Sequence, residues 1–485
     1  MMRSLFSGVS GLRVHQTKMD VIGNNISNVN TVGFKASSVS FSDILYQTTQ
    51  SASGPNVSTG TAGINAKQIG LGANLASIAT SITTTGGSQR TDNPFDLMIE
   101  GDGFFVVNNG SGNFFTKAGS FNVDSAGTLC TPTGATVMGW KVNPEDPTKC
   151  VSDTVSPLKI MSPENLYSAP EATKNVYLHG NIDSMDTTLT TEKGKVVVTS
   201  FFDSLGNRYN AEMKIISNPE GQDQNAGSFL VSLTNIYDSN GDSIFVKKTV
   251  EDDGTVTYSE SHVTEVSFGL EGASFSAEVN PEDGSVTLEG DGVPLTFDTA
   301  TGKFKSIGDG DDKNPSIKLK VINDGGPFEE IDMDFSSITM FNNSGTTTVE
   351  STKGTKDTGA GAGKAAGNMS GVSIDSSGKI YGVYDNGDQK LLGQVVVATF
   401  ANAAGLEAVG NNMFAATQNS GDFNGIGEDI TSSGGKFITG VLEMSNVDLS
   451  AQFTEMITTQ RGFQANSRII TTSDTLLEEL INLKR

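Results

Sequence analysis

At 485 residues the chain is too long for one ordinary domain, and about two to four are expected. A formal net charge of −24, from 56 acidic against 32 basic residues, removes the basic footprint that a nucleic-acid binder needs and disfavours an anionic membrane surface. The same charge sets copies of the chain against one another, so self-assembly must overcome or screen that repulsion. Only 36% of residues are hydrophobic, enough for several modest cores, and 56 glycines against 13 prolines predict many turns and many short strands. Two cysteines, Cys130 and Cys150, make neither a disulfide framework nor a clustered zinc site; one bridge or two free thiols remain open. No apolar run approaches the ~18 residues of a membrane span. The start, MMRSLFSGVSGLRVHQ, has an early Arg but no continuous apolar core and no small-residue cleavage site. The expectation is a cytoplasmic protein or one exported without a cleaved signal.

In chain order, the first element reads as an amphipathic helix. Leu5, Leu12, Met19 and Ile26 recur every seven residues, with Val9 and Ile22 flanking them. It ends in NNISNVNTVGFK, residues 24–35. Asparagine tolerates the left-handed backbone and bonds to its own main chain, so this stretch reads as a helix terminus followed by a shaped turn, with freedom at Gly33 and an extended restart at Phe34 and Lys35. Residues 48–63, TTQSASGPNVSTGTAG, are small and polar and read as flexible.

From Asn93 to Cys130, short apolar runs alternate with Gly, Asn and Asp in hairpin punctuation. Residues 195–216 predict two strands around the turn 203–207. SIFVKKTV, SVTLEG, SIKLKVI and QVVVATF add further strands. Residues 351–371 are low in complexity and read as a linker. The last element is again helical: Leu449, Met456, Phe463, Ile470 and Leu477 form an unbroken seven-spaced stripe. Its companion, Phe453, Gln460, Ser467, Asp474 and Ile481, is largely polar, which argues against a plain two-stranded zipper. Two terminal helices that pack together and against neighbours are expected, neither stable alone.

The fold class that follows is mainly β with α-helical termini. It is a nested multidomain plan of paired, coiled-coil-like terminal helices and two or three β-rich domains. Residues 1–70 and 446–485 give a helical inner-core domain with its connecting segment. Residues 71–150 and 368–445 give a discontinuous β domain. Residues 151–367 give an inserted outer β region of one or two domains.

The chain carries few marks of catalytic or metal chemistry. His15, His179 and His262 lie in different predicted segments, and no His, Cys or carboxylate cluster has metal-ligand spacing. GAGAGKA, residues 359–365, lacks the phosphate-loop frame, with Thr358 and Ala365 where Gly and Ser or Thr are required. DSNGD at 238–242 alternates oxygens but has Ser243 and Thr249 where a calcium loop needs Gly and Glu; GDGDDKN at 308–314 lacks the frame too. Both read as solvated turns. No enzyme, cofactor or metal site is expected. A secreted glycan-active enzyme or adhesin would need a carboxylate pair or an aromatic face; there is one tryptophan, Trp140, and no such pair.

The two ends carry a resemblance. MMRSLFSGVSGLRVHQTKMDVIGNNISNVNTVGFK resembles the N-terminus of bacterial flagellar axial proteins, the rod and hook group, and residues 442–483 resemble that group's paired C-terminus. Its motif residues here are Asn24, Asn25, Asn28, Asn30, Thr31, Gly33, Phe34 and Lys35 at one end. At the other they are Gln460, Arg461, Gln464, Ala465 and Asn466 within QRGFQAN. DLMIEGDGFFVV, FTKAGSFNVDSAGTL, VVVTSFFDSLGN and LGQVVVATFANAAGLEAVGNNMF are similar to the hook branch of the family. The likeness covers roughly 1–145, 176–210 and 370–485.

The resemblance implies a structural subunit, exported unfolded through the flagellar type III apparatus without a cleaved signal. It implies polymerisation under a hook cap at the rod tip into a short curved tube. That tube joins rod to filament and carries torque as a universal joint. The implied partners are further copies of the chain, the rod tip, the hook cap, the hook–filament junction proteins and the export apparatus, with no nucleic acid and no membrane insertion. The stripe residues of the terminal helices would then be assembly residues lining the inner tube. The distal rod subunit is the alternative within the family, usually much shorter. Some hook proteins crosslink through Cys and Lys; Lys149 and Lys141 lie near Cys150 in sequence.

Overall fold

The computed structural model describes residues 2–55, 60, 62–218, 227–250, 256–263, 265–270, 274–290, 292–308, 314–322 and 326–483. Of the expected features, 309–313 of GDGDDKN and residues 56–59 and 61 lie outside these. The chain is mainly β with one long helix near each end, α1 at Met2–Ser27 and α2 at Leu449–Asn482, which pair with each other. It divides into two units.

The first unit is drawn from Met1–Leu166, Ser370–Val383 and Gln389–Arg485. Its main sheet runs, in order, Lys379–Tyr384, Gln389–Val395, Thr136–Trp140, Phe104–Asn108, Asn113–Thr116, Met413–Ala415 and Glu407–Gly410. The apolar run Phe104–Val107 is buried on both faces: Phe105 and Val107 join one cluster with Leu97 and Phe437, Phe104 and Val106 another with Trp140 and Val396. Such a strand reads as a continuous apolar run without alternation. Two short antiparallel pairs follow α1: Ser37–Asp43 with Ala73–Thr80, and Tyr46–Gln50 with Lys67–Gly70. The stretch expected to be flexible therefore starts inside a hairpin. Thr48 pairs with Gln68, and Ser53 bridges Ile64. Small polar side chains left no periodic signal, but backbone pairing needs none.

The second unit comprises Tyr167–Met369 and Tyr384–Asp388. One sheet runs Val286–Glu289, Ser274–Val279, Glu265–Gly269, Ser316–Ile322, Ile331–Thr339, Asn175–Asn181 and Glu350–Lys353. The other runs Lys195–Phe202, Arg208–Ser217, Ser228–Tyr237, Val293–Phe297 and Phe304–Ile307. Side chains of both sheets, among them Phe201, Met213, Phe229, Phe268 and Phe335, form one buried cluster. The hairpin at 203–207 forms as its residues predict. Val197, Thr199 and Phe201 point inward while Val196 and Val198 face out, and the Asp203 carboxylate accepts from the N–H groups of Leu205 and Asn207 around Gly206 at φ 88°.

The 351–371 stretch is not a linker. Asn175 donates its N–H to the Gly361 carbonyl, Gly354 donates to Asn175, and Glu171 and Lys364 exchange both backbone bonds. Glycines at positive φ, Gly354, Gly361 and Gly363, let the chain lie this close.

The second unit is also tied by a carboxylate. Asp183, fully buried, accepts N–H bonds from Met185 at 2.9 Å, Asn343 at 2.6 Å and Gly345 at 2.7 Å. These donors hold its carboxyl below the usual carboxylate range. Its contribution is therefore present above the unfolded pKa of about 4 and is lost as pH falls through the lower folded value. Asp183→Asn turns an NH₂ toward backbone donors and should cost about 2–3 kcal/mol. Urea unfolding followed at pH 7 and again at pH 3 should show that difference shrinking with acid; an equal difference at both would contradict the assignment.

Candidate assembly site

The helix pair is antiparallel, and its backbones approach each other at glycines. A side chain at Gly11 would meet the Asn466 amide at 2.6 Å, and one at Gly462 would meet the His15 ring at 2.8 Å. Gly8 lies against Ile470 and Asn466. Glycine inside a helix costs roughly 1 kcal/mol against alanine, so three at one interface point to packing. The fully buried positions are Gly8, Val14, Ile22 and Asn25 on α1, and Thr459 and Ser473 on α2.

The expected stripe residues Leu5, Leu12, Met19 and Ile26 are half-buried, as are Met456, Phe463, Ile470 and Leu477, whereas Leu449 is exposed. The companion row differs from the expectation. It is Gln452, Thr459, Asn466 and Ser473, three residues on from the apolar stripe; Phe453, Gln460 and Ile481 of the expected row are exposed. Asn466 of this row packs onto Gly8 and Gly11, where the contact leaves no room for a Cβ at Gly11. Among the motif residues, Gln460, Arg461, Gln464 and Ala465 are on the open face and Asn466 on the closed one.

His15 packs edge-on against Phe41 at 5.9 Å. Burial first, and Lys18 second, lower its pKa. Lys18 reaches Glu455 at 3.6 Å, a partly exposed pair of small worth.

The asparagine-rich stretch closes α1 and starts a junction. Asn28 donates its amide to Asn24, and the Thr31 hydroxyl donates to Asn28, sealing the helix end; Asn30 stays exposed. Asn25 is fully buried, exchanging bonds with the Ser37 main chain at 2.8 and 3.0 Å and donating to Gln452 on α2 at 3.1 Å. Gly33, at φ 70°, runs against the Ala118 backbone, where a Cβ would sit 2.7 Å from the amide nitrogen. The next residues deliver Lys35 into the interior. Its ammonium meets the Glu443 carboxylate at 2.6 Å, with both side chains at most 1% exposed, and donates to the Thr84 carbonyl at 2.7 Å.

Glu443 accepts from Gly86 N–H as well, and its carbonyl accepts from Gly33 N–H at 2.8 Å. Asn446 accepts from Ala36 N–H and donates to Ser81 and Thr84. Phe34 is half-buried, its N–H donated to Thr31. Nearby, burial pushes the Lys117 ammonium down to about 8, with Lys35 adding and Glu443 opposing. Asp448 caps α2, accepting from Ser450 and Ala451. Glu443, Asn446, Lys117 and the three helix glycines carried no sequence pattern alone, although glycine within QRGFQAN is a packing signal.

Outside the closed faces, both helices present large apolar residues to solvent: Phe6 and Val9 on α1, and Leu449, Phe453, Ile457, Ile469 and Leu476 on α2. The remaining candidates lie on other elements of the chain. His179 bonds Thr352 in the second unit, where His262 is exposed. Cys130 and Cys150 are two free thiols rather than a bridge, their pKa values raised by burial. In the GAGAGKA stretch Lys364 is paired with Asp388 at 2.9 Å and Glu171 at 3.5 Å. Asp238 accepts from Asn240 and Asp242 in a tight turn. Among the described residues no three His, Cys, Asp or Glu gather as a metal cluster, and no helix is long and apolar enough to cross a membrane.

Two outcomes test this geometry. Glu443→Ala leaves Lys35 buried and unpaired and should cost about 3–5 kcal/mol in equilibrium unfolding; a cost under about 1 kcal/mol would sink the assignment. Gly462→Leu overlaps the His15 ring and should weaken the pair by about 1–3 kcal/mol, read as lost amide-exchange protection along α1 with the second unit unchanged.

Comparisons with known proteins meet this surface at both ends. Residues 5–35 match the flagella basal body rod protein family, 98–169 the flagellar hook protein FlgE/F/G D1 domain, and 438–483 the flagellar basal body rod FlgEFG protein C-terminal family. The chain is 36% identical over 495 residues to the flagellar hook protein FlgE of Borreliella burgdorferi and 35% over 500 residues to that of Treponema pallidum, covering 100% of each chain in both cases. It is 27% identical over 485 residues, again across 100% of both chains, to the flagellar basal-body rod protein FlgG of Bacillus subtilis. Identity is higher to these two hook proteins than to the rod protein, which disfavours the rod alternative. With junction, helix pair and full-length similarity in agreement, the chain belongs to the flagellar hook protein family, structural components of the bacterial flagellum.

Proposed function

We propose that this chain is the repeating subunit of a short, curved, flexible hook tube that joins rod to filament and transmits motor torque. The observation that carries the reading is the row of large apolar side chains left open on the helix pair. Phe453 and Ile457 are 51% and 59% exposed on a helix whose buried positions, Thr459 and Ser473, are small and polar. An apolar face of this kind on a charged chain calls for a partner. Contacts with further copies, once salt screens the charge of −24, supply it.

In this reading, residues 1–70 and 446–485 form the inner layer, with the stripe residues Leu5 to Ile26 and Leu449 to Leu477 ordering fully on assembly. The β domain of 71–150 and 368–445 and the inserted region 151–367 form outer shells. Marginal helices suit export in unfolded form through the type III apparatus, without a cleaved signal, and ordering under the hook cap at the rod tip. The hook–filament junction proteins follow at the far end. The role is structural and not enzymatic, and needs no cofactor, nucleic acid or membrane insertion.

Electron microscopy and sedimentation in polymerising salt test it. The full chain should give curved tubes. Phe453→Ser with Ile457→Ser should stay monomeric while keeping its helix content. Tubes from both chains would remove the open face from the assembly; no tubes from the native chain, even when seeded with hook fragments, would overturn the reading.

A further inference from the structure

Beside the closed face of α1 lies a groove of about 470 Å³, walled by Phe6, Val9, Ile44 and Leu71 and carrying Arg3 and Arg13. Arg3, Phe6, Ser10 and Arg13 recur at helical spacing, so the groove follows one face of α1 for about 15 Å. Among the described residues, neither guanidinium has a carboxylate within ion-pair distance.

The far end of α2 has the opposite character. Gly11 against Asn466 and His15 against Gly462 fix the antiparallel register. That register sets Met2 opposite Thr475. Past this point Leu476, Leu480, Ile481 and Leu483 are 46%, 49%, 67% and 83% exposed. Leu480 continues the row Gln452, Thr459, Asn466 and Ser473, but as an apolar residue where the row had been polar. Around the helix, Ile481, Leu477, Leu480 and Leu476 make one apolar arc, flanked on its two sides by Glu478 and Glu479. Both glutamates are exposed and, among the described residues, neither has an ion-pair partner.

An apolar arc with a carboxylate on each side matches an apolar groove with a guanidinium at each end, when the seated helix crosses α1. We infer that the last two turns of α2 from one copy seat in the α1 groove of a second copy, with Glu478 and Glu479 facing Arg3 and Arg13. This deepens the polymer reading above and rests on it. The occupant is a second copy because α2 is a single unbroken helix: its last turns run on past Met2, away from the groove of their own chain. The contact joins two different patches, so each copy carries one of each, and a rotation that does not close propagates it into a helical filament. Charge pairing at its rim also offsets locally the repulsion between acidic chains.

A charge swap on the full chain tests the contact by the critical concentration for polymerisation. Glu478→Arg with Glu479→Arg, and separately Arg3→Glu with Arg13→Glu, should each raise it about tenfold or more. All four together should return it to within about threefold of the native value. Native tubes with no effect of either reversal, or with no recovery on combining them, would overturn this contact and leave the polymer reading standing. A native chain that never polymerises would overturn both.

A second measurement does not depend on how the reversals fold. In a chain carrying Cys130→Ser and Cys150→Ser, Val9→Cys with Leu480→Cys should give a disulfide ladder of linked chains when tubes are oxidised. Linkage within single chains, or none, would refute the seating.

Discussion

The ion pair between Lys35 and Glu443 is the constraint on which the first unit depends. It joins a residue eight positions past the end of the first helix to one six positions before the second begins, 408 positions apart in the chain. Both charges are out of water. Such a pair adds little net stability over apolar packing, but it is costly to half-fill. It therefore selects one arrangement of the two chain ends. Around it, the Gly33 N–H bonds the Glu443 carbonyl, and Asn446 bonds Ala36, Ser81 and Thr84. Helix entry and helix exit are one structure.

That junction lets the helix pair be weak without being undefined. Its seam mixes small and polar residues with half-buried apolar ones, and Gly8, Gly11 and Gly462 allow the backbones to approach. The apolar stripe residues are only half-buried, and Phe6, Phe453 and Ile457 are left on the outer faces. A pair optimised for the monomer would bury its leucines and phenylalanines in the seam. This one leaves Phe453, Ile457 and the end of α2 open, which suits a subunit whose helices find most of their partners on other copies.

The charge of the chain has a related logic. Several aspartates, such as Asp183, Asp203 and Asp238, serve turns, accepting backbone N–H groups that the many short strands leave at their ends. The acidic composition thus comes partly from turn chemistry, and it leaves a soluble surface with strong mutual repulsion. Assembly contacts then have to be local and complementary.

The stripes at both ends, the strand runs and the Asn-rich helix stop were legible because each is a local pattern: period, punctuation and backbone preference act within a few residues. The helical termini and the β interior followed from them, and the quoted motifs placed the chain near the rod and hook group. Three things were not legible. The 48–63 and 351–371 stretches read as flexible and as a linker, yet Thr48, Ser53, Gly354, Gly361 and Lys364 are paired through their backbones, because main-chain hydrogen bonds leave no mark on side-chain composition. The companion row on α2 was displaced by one residue, since glycine-mediated approach favours Gln452, Thr459, Asn466 and Ser473 over larger neighbours. The Lys35–Glu443 pair joins residues far apart in the chain, and only the folded topology brings two isolated charges together and removes the water between them. Local patterns in the chain specify the two helices, the main strands and the kind of surface at each end; which polar groups those ends share is set by the fold, because burial and partnership depend on distance in space.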